Sequence, residues 1–418
     1  MLRKLPIGIN DFEELRNNGY IYVDKTEYIY NLIQNGKVYF MSRPYHFGKS
    51  LLLSTIKAYF EGKHSLFNGL KIDTLSRNNS NNGNNSNKTT KNNNTNNSNS
   101  TNDGWSSYPV FYFDFNNSRN CNSSKSSNSS SEDMEEALRV HLSSWEAIYG
   151  DEFKDRMLGE RFRQLLRLAY EQTGKRAVVL VDKHNKSLYE LENREYDRHN
   201  DTVFRTFFSS LKFSDRFLEF VFIAGVTKFE AGIFSDLNHL HDISQSIDYD
   251  EVCGITEREM REYFLPEIES MAVKQELSTE ECIVRLKQTY GGYRFDRGGA
   301  EVCNPFSLLS ALVEKNFDTY GLNTEITAFF ADKIAGRENR EAGKDGKNEG
   351  IEKLADITLY ADDLLLSNYE IDTPDIVPIL FHTGYLTIVD YNKKFRCYTL
   401  GFPNEEVKTN LLKNLLKH

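Results

Sequence analysis

A lysine and a hydroxyl residue placed just after a glycine turn can hold phosphate and a divalent cation. One stretch of the chain offers that set: Val38-Tyr-Phe-Met-Ser-Arg-Pro-Tyr-His-Phe-Gly-Lys-Ser50, followed by three leucines. Free backbone N–H groups at a helix N-terminus face an anion, and Gly48 permits close backbone approach. Lys49 would reach the β- and γ-phosphates, and Ser50 would ligate Mg²⁺. The full pattern G-x-x-x-x-G-K-[ST] wants glycine at position 43, where this chain has Arg43. An acid suited to the same metal is Asp182, at the end of the apolar run Ala177-Val-Val-Leu-Val.

These residues need elements to carry them. Val38–Met41 reads as a strand, and the spacing of Leu52, Leu53, Ile56 and Phe60 predicts a helix over about 49–61. Residues 176–182 read as a central parallel strand, buried on both faces. Helices are expected at about 27–35, from 132 through Trp145, at 152–172 and at 200–213. Further strands are expected at 108–115 and 217–224. Strands alternating with helices predict an α/β domain with a mostly parallel sheet. Its ligand would sit beyond the C-terminal strand ends. Lys49 and Asp182 are expected there. So is Thr227, the candidate γ-phosphate sensor if the strands are ordered as in AAA-type NTPases, with Lys228 as second choice.

Composition narrows the function classes. Aromatic residues make up 13% of the 418, enough for a sizeable core, and the formal charge of −10 argues against a generally basic nucleic-acid-binding surface. Five cysteines without a C-x-x-C pair fit reduced thiols rather than a disulfide framework. Met1–Asn10 is too short and interrupted for a signal peptide, and no run approaches ~18 apolar residues. An intracellular, cytoplasmic location without membrane contact is therefore expected. The Asn/Ser-rich tracts at about 77–104 and 116–131 cannot bury enough surface to offset chain entropy, and are expected to be disordered insertions. His239-Leu-His241-Asp242 reads as a solvated loop rather than a metal site.

Beyond Cys253 the strand signal fades. Thr256-Glu-Arg-Glu259 and Ser278-Thr-Glu-Glu281 are capping boxes, and Asn304-Pro305 reads as an N-cap followed by proline at the first helical position. The expected organisation is a P-loop domain over 1–255, a helical lid over 256–335, a charged linker over 336–350 and a winged-helix-like region over 351–418. The last would comprise a long helix at about 350–367, a short one at 374–382, a hairpin of 386–391 with 395–400, and a terminal helix from Pro403.

Several segments in order resemble the AAA-ATPase-like family, P-loop proteins related to AAA+ and STAND NTPases. They include Leu5-Pro-Ile-Gly-Ile, Tyr22-Val-Asp-Lys-Thr26, Ser42-Arg-Pro with Phe47-Gly-Lys-Ser-Leu-Leu52, Gly225-Val-Thr-Lys-Phe229, Tyr290-Gly-Gly-Tyr-Arg-Phe295, Asn304-Pro-Phe-Ser307 and Gly401-Phe-Pro-Asn-Glu-Glu-Val407. The resemblance spans nearly the whole chain outside the two polar tracts, and Arg-Pro is what this family carries where the first glycine would stand. It implies binding of ATP and Mg²⁺, with Gly48, Lys49, Ser50 and Leu51 as nucleotide-binding residues. It also implies Asp24 and Lys25 near the base, and Ser50 with Asp182 at the metal. Family members often continue into a PD-(D/E)XK nuclease-like domain. This sequence stops soon after Val407, so such a domain and its nuclease activity are not expected here.

The departures bear on hydrolysis. The family's Asp-Glu-Tyr-Asp-Lys-Pro after the strand is here Asp182-Lys-His-Asn-Lys-Ser187. The glutamate that would orient the attacking water is Lys183, and the second Asp is Asn185. A lysine of ordinary pKa, about 10.4, is protonated at neutral pH and cannot accept that proton. Tyr45 and His46 replace two arginines of the family pattern. The expectation is an ATP-binding protein with at most weak hydrolysis. The alternatives are a degenerate pseudo-ATPase working as a nucleotide-dependent interaction module, with a protein partner or a second copy, and a winged-helix nucleic-acid-binding regulator.

Overall fold

The computed structural model describes residues 3–83, 105–115, 130–182, 202–203, 205–226, 239–321, 359–362, 365–366 and 376–415. Thr227, Lys228, Lys183, Asn185 and most of both polar tracts lie outside these residues.

Five strands form one parallel sheet: β1 (Val38–Ser42), β2 (Val110–Asp114), β3 (Ala177–Asp182), β4 (Leu218–Gly225) and β5 (His241–Asp242), in the order β2-β3-β4-β1-β5. All six residues of β3 are buried. The alternation along each strand divides the core. Val178, Leu180, Phe220 and Phe222 pack on one face with Leu52, Leu53 and Ile56 of helix Lys49–Phe60. Val179, Val181, Val221, Ile223 and the phenylalanines of β2 pack on the other. There they meet Leu138, Leu142 and Trp145 of helix Ser130–Tyr149, and Phe162, Leu165 and Leu166 of helix Leu158–Thr173. A sheet covered by helices on both faces is the α/β architecture that the alternating pattern predicts.

Three helices follow: Glu257–Lys274, Thr279–Tyr290 and Pro305–Glu314. Both capping boxes form, and Asn304 Oδ1 accepts from the N–H groups of Phe306 and Ser307. Their apolar faces meet in a separate cluster around Met260, Phe264, Ile283, Leu286 and Leu308. The chain then makes an antiparallel sheet ordered β8-β10-β9, from β8 (Leu359–Asp362), β9 (Thr387–Asn392) and β10 (Cys397–Gly401), with β6 (Ile255–Thr256) and β7 (Val302–Cys303) forming a small ladder before it. The last helix, Glu405–Leu415, is capped by Asn404, whose Oδ1 accepts from Val407 N.

The structure corrects several boundaries. The helix expected at about 350–367 is not one at Leu359–Asp362, which is a strand on the edge of the hairpin. Ala361 is buried while Tyr360 and Asp362 are exposed, so period-2 burial against an open edge of β10 decides the conformation. The expected hairpin is therefore two strands of a three-stranded antiparallel sheet. Helix Lys71–Gly83 runs into the tract expected to be disordered from about 77. Its first turn is anchored, because Asp24 Oδ2 accepts from Lys71 N, Ile72 is buried, and Asp73 pairs with His64 and Arg77. Such an anchored turn removes the nucleation cost of the helix. The helix expected at 152–172 begins only at Leu158, since residues 151–157 turn back on themselves through Lys154 N to Asp151 O and Arg156 N to Phe153 O.

Candidate functional site

The turn after β1 is built around a buried lysine. Gly48 sits at φ 86° as the N-cap of helix Lys49–Phe60, a conformation in which only glycine is unstrained. His46 also holds a positive φ, 65°, and its ring lies 4.9 Å from that of Phe306. Lys49 is 2% exposed, and its Nζ donates to the carbonyls of Arg43 at 2.9 Å and Pro44 at 2.7 Å. The loop thus closes around its own lysine.

Arg43 does different work from the glycine it replaces. It is 1% exposed, and Nη1 donates to the carbonyls of Ser42 (2.9 Å) and Ser244 (2.7 Å), Nη2 to that of Tyr249 (2.9 Å). Its guanidinium carbon lies 4.2 Å from the centre of the Phe295 ring. Burial draws its pKa down, while Cys253, Asp250 and Asp242 oppose that. The arginine ties the loop to the segment after β5.

Two cavities meet at this loop. One, of about 620 Å³, is polar and lined by Gly48, Lys49, Ser50, Lys57, Asp114 and Asp182, with Asn10 and Asp11 at its side. The other, of about 320 Å³, is largely apolar, lined by Ile7, Tyr22, Leu51, Val252, Phe264, Phe306 and Leu309 among others. Asn10, His46, Phe47 and Gly48 line both. The second cavity lies within the ordinary range for small-molecule pockets, about 300–1,000 Å³.

Gly48, Lys49, Ser50 and Asp182, expected together from sequence, share the polar cavity. Leu51 and Lys25 line the apolar one. Asp24 lines neither: Oδ1 accepts from Thr26 N and Oγ1, and Oδ2 from Lys71 N. Lys25 also has a fixed task, since its Nζ pairs with Glu259 Oε1 at 2.6 Å and Oε2 at 2.7 Å in a buried ion pair. Thr227 lies outside the described residues, but β4, which leads to it, stands between β1 and β3.

Sequence reasoning missed Tyr112 and Asp114. The Tyr112 hydroxyl donates to Asp182 Oδ2 at 3.1 Å. Burial, then the charges of Asp182 and Asp114, push its pKa far up, so it stays a donor. Asp114 ends β2 as Asp182 ends β3, and the two are register partners. An acid closing an alternating strand was a signal available in the sequence. The apolar cavity was not, because its walls come from segments far apart in the sequence, among them residues 6–10, 21–23, 46–48, 252–255 and Pro305 with Phe306.

Chemically, Ser50, Asp114 and Asp182 are hard oxygen donors of the kind that suit Mg²⁺. Lys49 and Lys57 supply positive charge for an anion beside them. Among the described residues no group of three or more His, Cys, Asp and Glu side chains is placed to hold a metal by itself. The Cys253 thiol at the apolar cavity is pushed up in pKa by burial, against the pull of Arg43, Lys49 and Lys25. Among the described residues no helix is long and apolar enough to cross a membrane.

An uncharacterized protein encoded in the vnfD 5' region of Azotobacter chroococcum mcd 1 is 31% identical over 420 residues, covering 99% of this chain and 70% of that one. No solved structure matches. A family model described as "Predicted AAA-ATPase" matches residues 6–234, more than half of the chain, which therefore belongs to the AAA-ATPase-like family.

Proposed function

We propose that the chain binds ATP with Mg²⁺ across the two cavities and hydrolyses it slowly. The observation that carries this reading is the pairing of a polar cavity, holding Lys49, Ser50 and Asp182, with an apolar one across the same loop. The phosphates would lie against Lys49 and the N–H groups at the start of helix Lys49–Phe60, where helix geometry favours anions. To reach them, Lys49 would exchange its bonds to the Arg43 and Pro44 carbonyls for phosphate oxygens. Ser50 and Asp182 would hold the Mg²⁺, which supplies charge neutralisation at the terminal phosphates. The base would enter between Ile7, Tyr22 and Phe306.

On this reading residues 256–335 act as a lid. Their contribution to the apolar cavity (Phe264, Pro305, Phe306, Leu309) supports it. The region from 351 would be winged-helix-like, its wing enlarged by β8. Lys183 and Asn185 in place of Glu and Asp favour slow turnover, and a pseudo-ATPase is the second reading. Loss of a water-orienting carboxylate costs ~10²–10⁴ in rate.

The test compares ATP binding and turnover of the native chain, Lys49→Ala, and Lys183→Glu with Asn185→Asp. Binding by the native chain, lost in Lys49→Ala, with faster turnover in the double variant, is the expected result. Unchanged binding in Lys49→Ala would remove the basis of the proposal.

A further inference from the structure

We infer that the carboxamide of Asn10 reads the ribose hydroxyls of the bound nucleotide and so selects ribonucleotides over their deoxy forms. The inference rests on the ATP reading above. A nucleotide with its base in the apolar cavity and its phosphates in the polar one has its sugar where the cavities meet. Among the described residues, that junction is lined by Asn10, His46, Phe47 and Gly48. They belong to two walls, and each wall changes character here. Along the N-terminal segment, residues 6–9 line the apolar cavity alone, Asn10 lines both cavities, and Asp11 lines the polar one alone. Along the loop, His46, Phe47 and Gly48 line both, and Lys49 and Ser50 line the polar one alone. The sugar therefore lies between Asn10 and the loop.

The chemistry of the junction favours Asn10. Gly48 has no side chain, and Phe47 is buried with its ring edge-on to Tyr293 at 4.8 Å. The His46 ring lies 4.9 Å from that of Phe306, on the side that receives the base. The Asn10 carboxamide carries one acceptor oxygen and an NH₂ with two donors. A vicinal diol complements it, one hydroxyl donating to the oxygen while the other accepts from the nitrogen. Asn10 is exposed at the cavity rim. Its neighbour Asp11 is spent on the cap of helix Phe12–Asn17, Oδ1 accepting from Glu14 N at 2.7 Å. An amide also reads the diol without adding negative charge beside the phosphates, where Asp11 already lies.

The segment is fixed on both sides of Asn10. Ile9 N donates to the Pro6 carbonyl at 3.4 Å, and Phe12 N donates to Ser54 Oγ at 2.9 Å. Phe12 and Leu15 are fully buried. Ser54 belongs to helix Lys49–Phe60, which also carries Lys49 and Ser50. The sugar contact and the phosphate contacts are thus referenced to one rigid element, as a selective site requires.

The test uses the full chain, Asn10→Ala and Asn10→Asp, with the Mg²⁺ complexes of ATP, 2′-deoxyATP, 3′-deoxyATP and 2′,3′-dideoxyATP as calorimetric ligands. The native chain is expected to bind ATP about tenfold more tightly than the dideoxy form, the worth of one or two neutral hydrogen bonds, with the monodeoxy forms between. Asn10→Ala should lose that factor for ATP only. Its affinity for the dideoxy form should stay within about twofold of native, so that its preference falls to about one. Asn10→Asp should bind every ligand more weakly yet keep a preference for ATP, because a carboxylate still accepts from the hydroxyls. A merely structural role would weaken all the ligands alike and leave the preference standing. Three results would overturn the assignment: equal native affinity for ATP and the dideoxy form, a native-sized preference retained in Asn10→Ala, or a preference lost equally in Asn10→Ala and Asn10→Asp. A native chain that binds no MgATP would instead refute the underlying ATP reading, and this inference with it.

Discussion

Glu259→Gln should destabilise the chain far more than a substitution at an exposed first-turn glutamate would. Lys25 is 8% exposed and Glu259 5%, and their contacts of 2.6 and 2.7 Å leave the ammonium bound between both carboxylate oxygens. Glu259 Oε2 also accepts from Thr256 N at 2.9 Å and Thr256 Oγ1 at 3.0 Å, closing the capping box of helix Glu257–Lys274. An amide has one acceptor oxygen for those donors and turns its own N–H groups toward the others. Removing one partner of a buried pair costs about 3–5 kcal/mol. The retained oxygen places this substitution near the lower end, about 3 kcal/mol. For a cooperative unit of 150–250 residues that is a fall in Tm of roughly 6–12 °C. Urea unfolding at neutral pH measures it directly. Thr256→Ala isolates the cap, at about 1 kcal/mol. The double variant Lys25→Met with Glu259→Met should be much less destabilised than the sum of its singles, because burying neither charge avoids both desolvation costs. A loss below about 1 kcal/mol in Glu259→Gln would refute the argument, since it would mean that Lys25 behaves as a solvated lysine.

Three further outcomes follow from particular contacts. Gly384 has φ 86°, and a Cβ there would lie 2.9 Å from Pro44 Cβ. Gly384→Ala should cost about 2–4 kcal/mol in thermal unfolding, from backbone strain together with overpacking, and should weaken ATP binding through the loop. Glu406 is pushed up in pKa by burial, against the Tyr320 and Gly321 N–H groups that donate to it. A raised carboxyl contributes stability that is full below its unfolded pKa, about 4.3, and lost as pH rises through the folded value. Glu406→Gln should therefore melt higher than the native chain at neutral pH, and the difference should vanish on acidification toward pH ~4. Tyr112→Phe removes the donor to Asp182 and should leave stability within about 1.5 kcal/mol, while shifting the Mg²⁺ dependence of ATP binding measured by titration.

The parts of the molecule written in local pattern were legible in its sequence. The buried run of β3, the capping boxes at Thr256 and Ser278, and the glycine turn before Lys49 each carry a signature within a few residues. Strand order was not legible, because nothing local to β4 says that it enters between β1 and β3. Leu359–Asp362 was misread because four residues hold no clear period, and pairing with β10 supplied what local propensity did not. The site divided in the same way. Lys49, Ser50 and Asp182 announced themselves through motif and strand ends. The apolar cavity joins segments spread from residue 6 to residue 309. Asp24 was misjudged for a related reason: its neighbour Lys25 does reach that cavity, but its own carboxylate is spent on the N–H groups of Thr26 and Lys71.

The central claim is that one nucleotide spans both cavities. Photolabelling with an ATP analogue carrying an azide on the adenine, in Mg²⁺, followed by peptide mapping, tests it most directly. The account predicts label within the segments that line the apolar cavity, residues 6–10, 15, 21–25, 46–48, 51–52, 252–255, 264 or 305–309, prevented by excess ATP and lost in Lys49→Ala. Label confined to other segments, or label at these segments that excess ATP leaves in place, would contradict it.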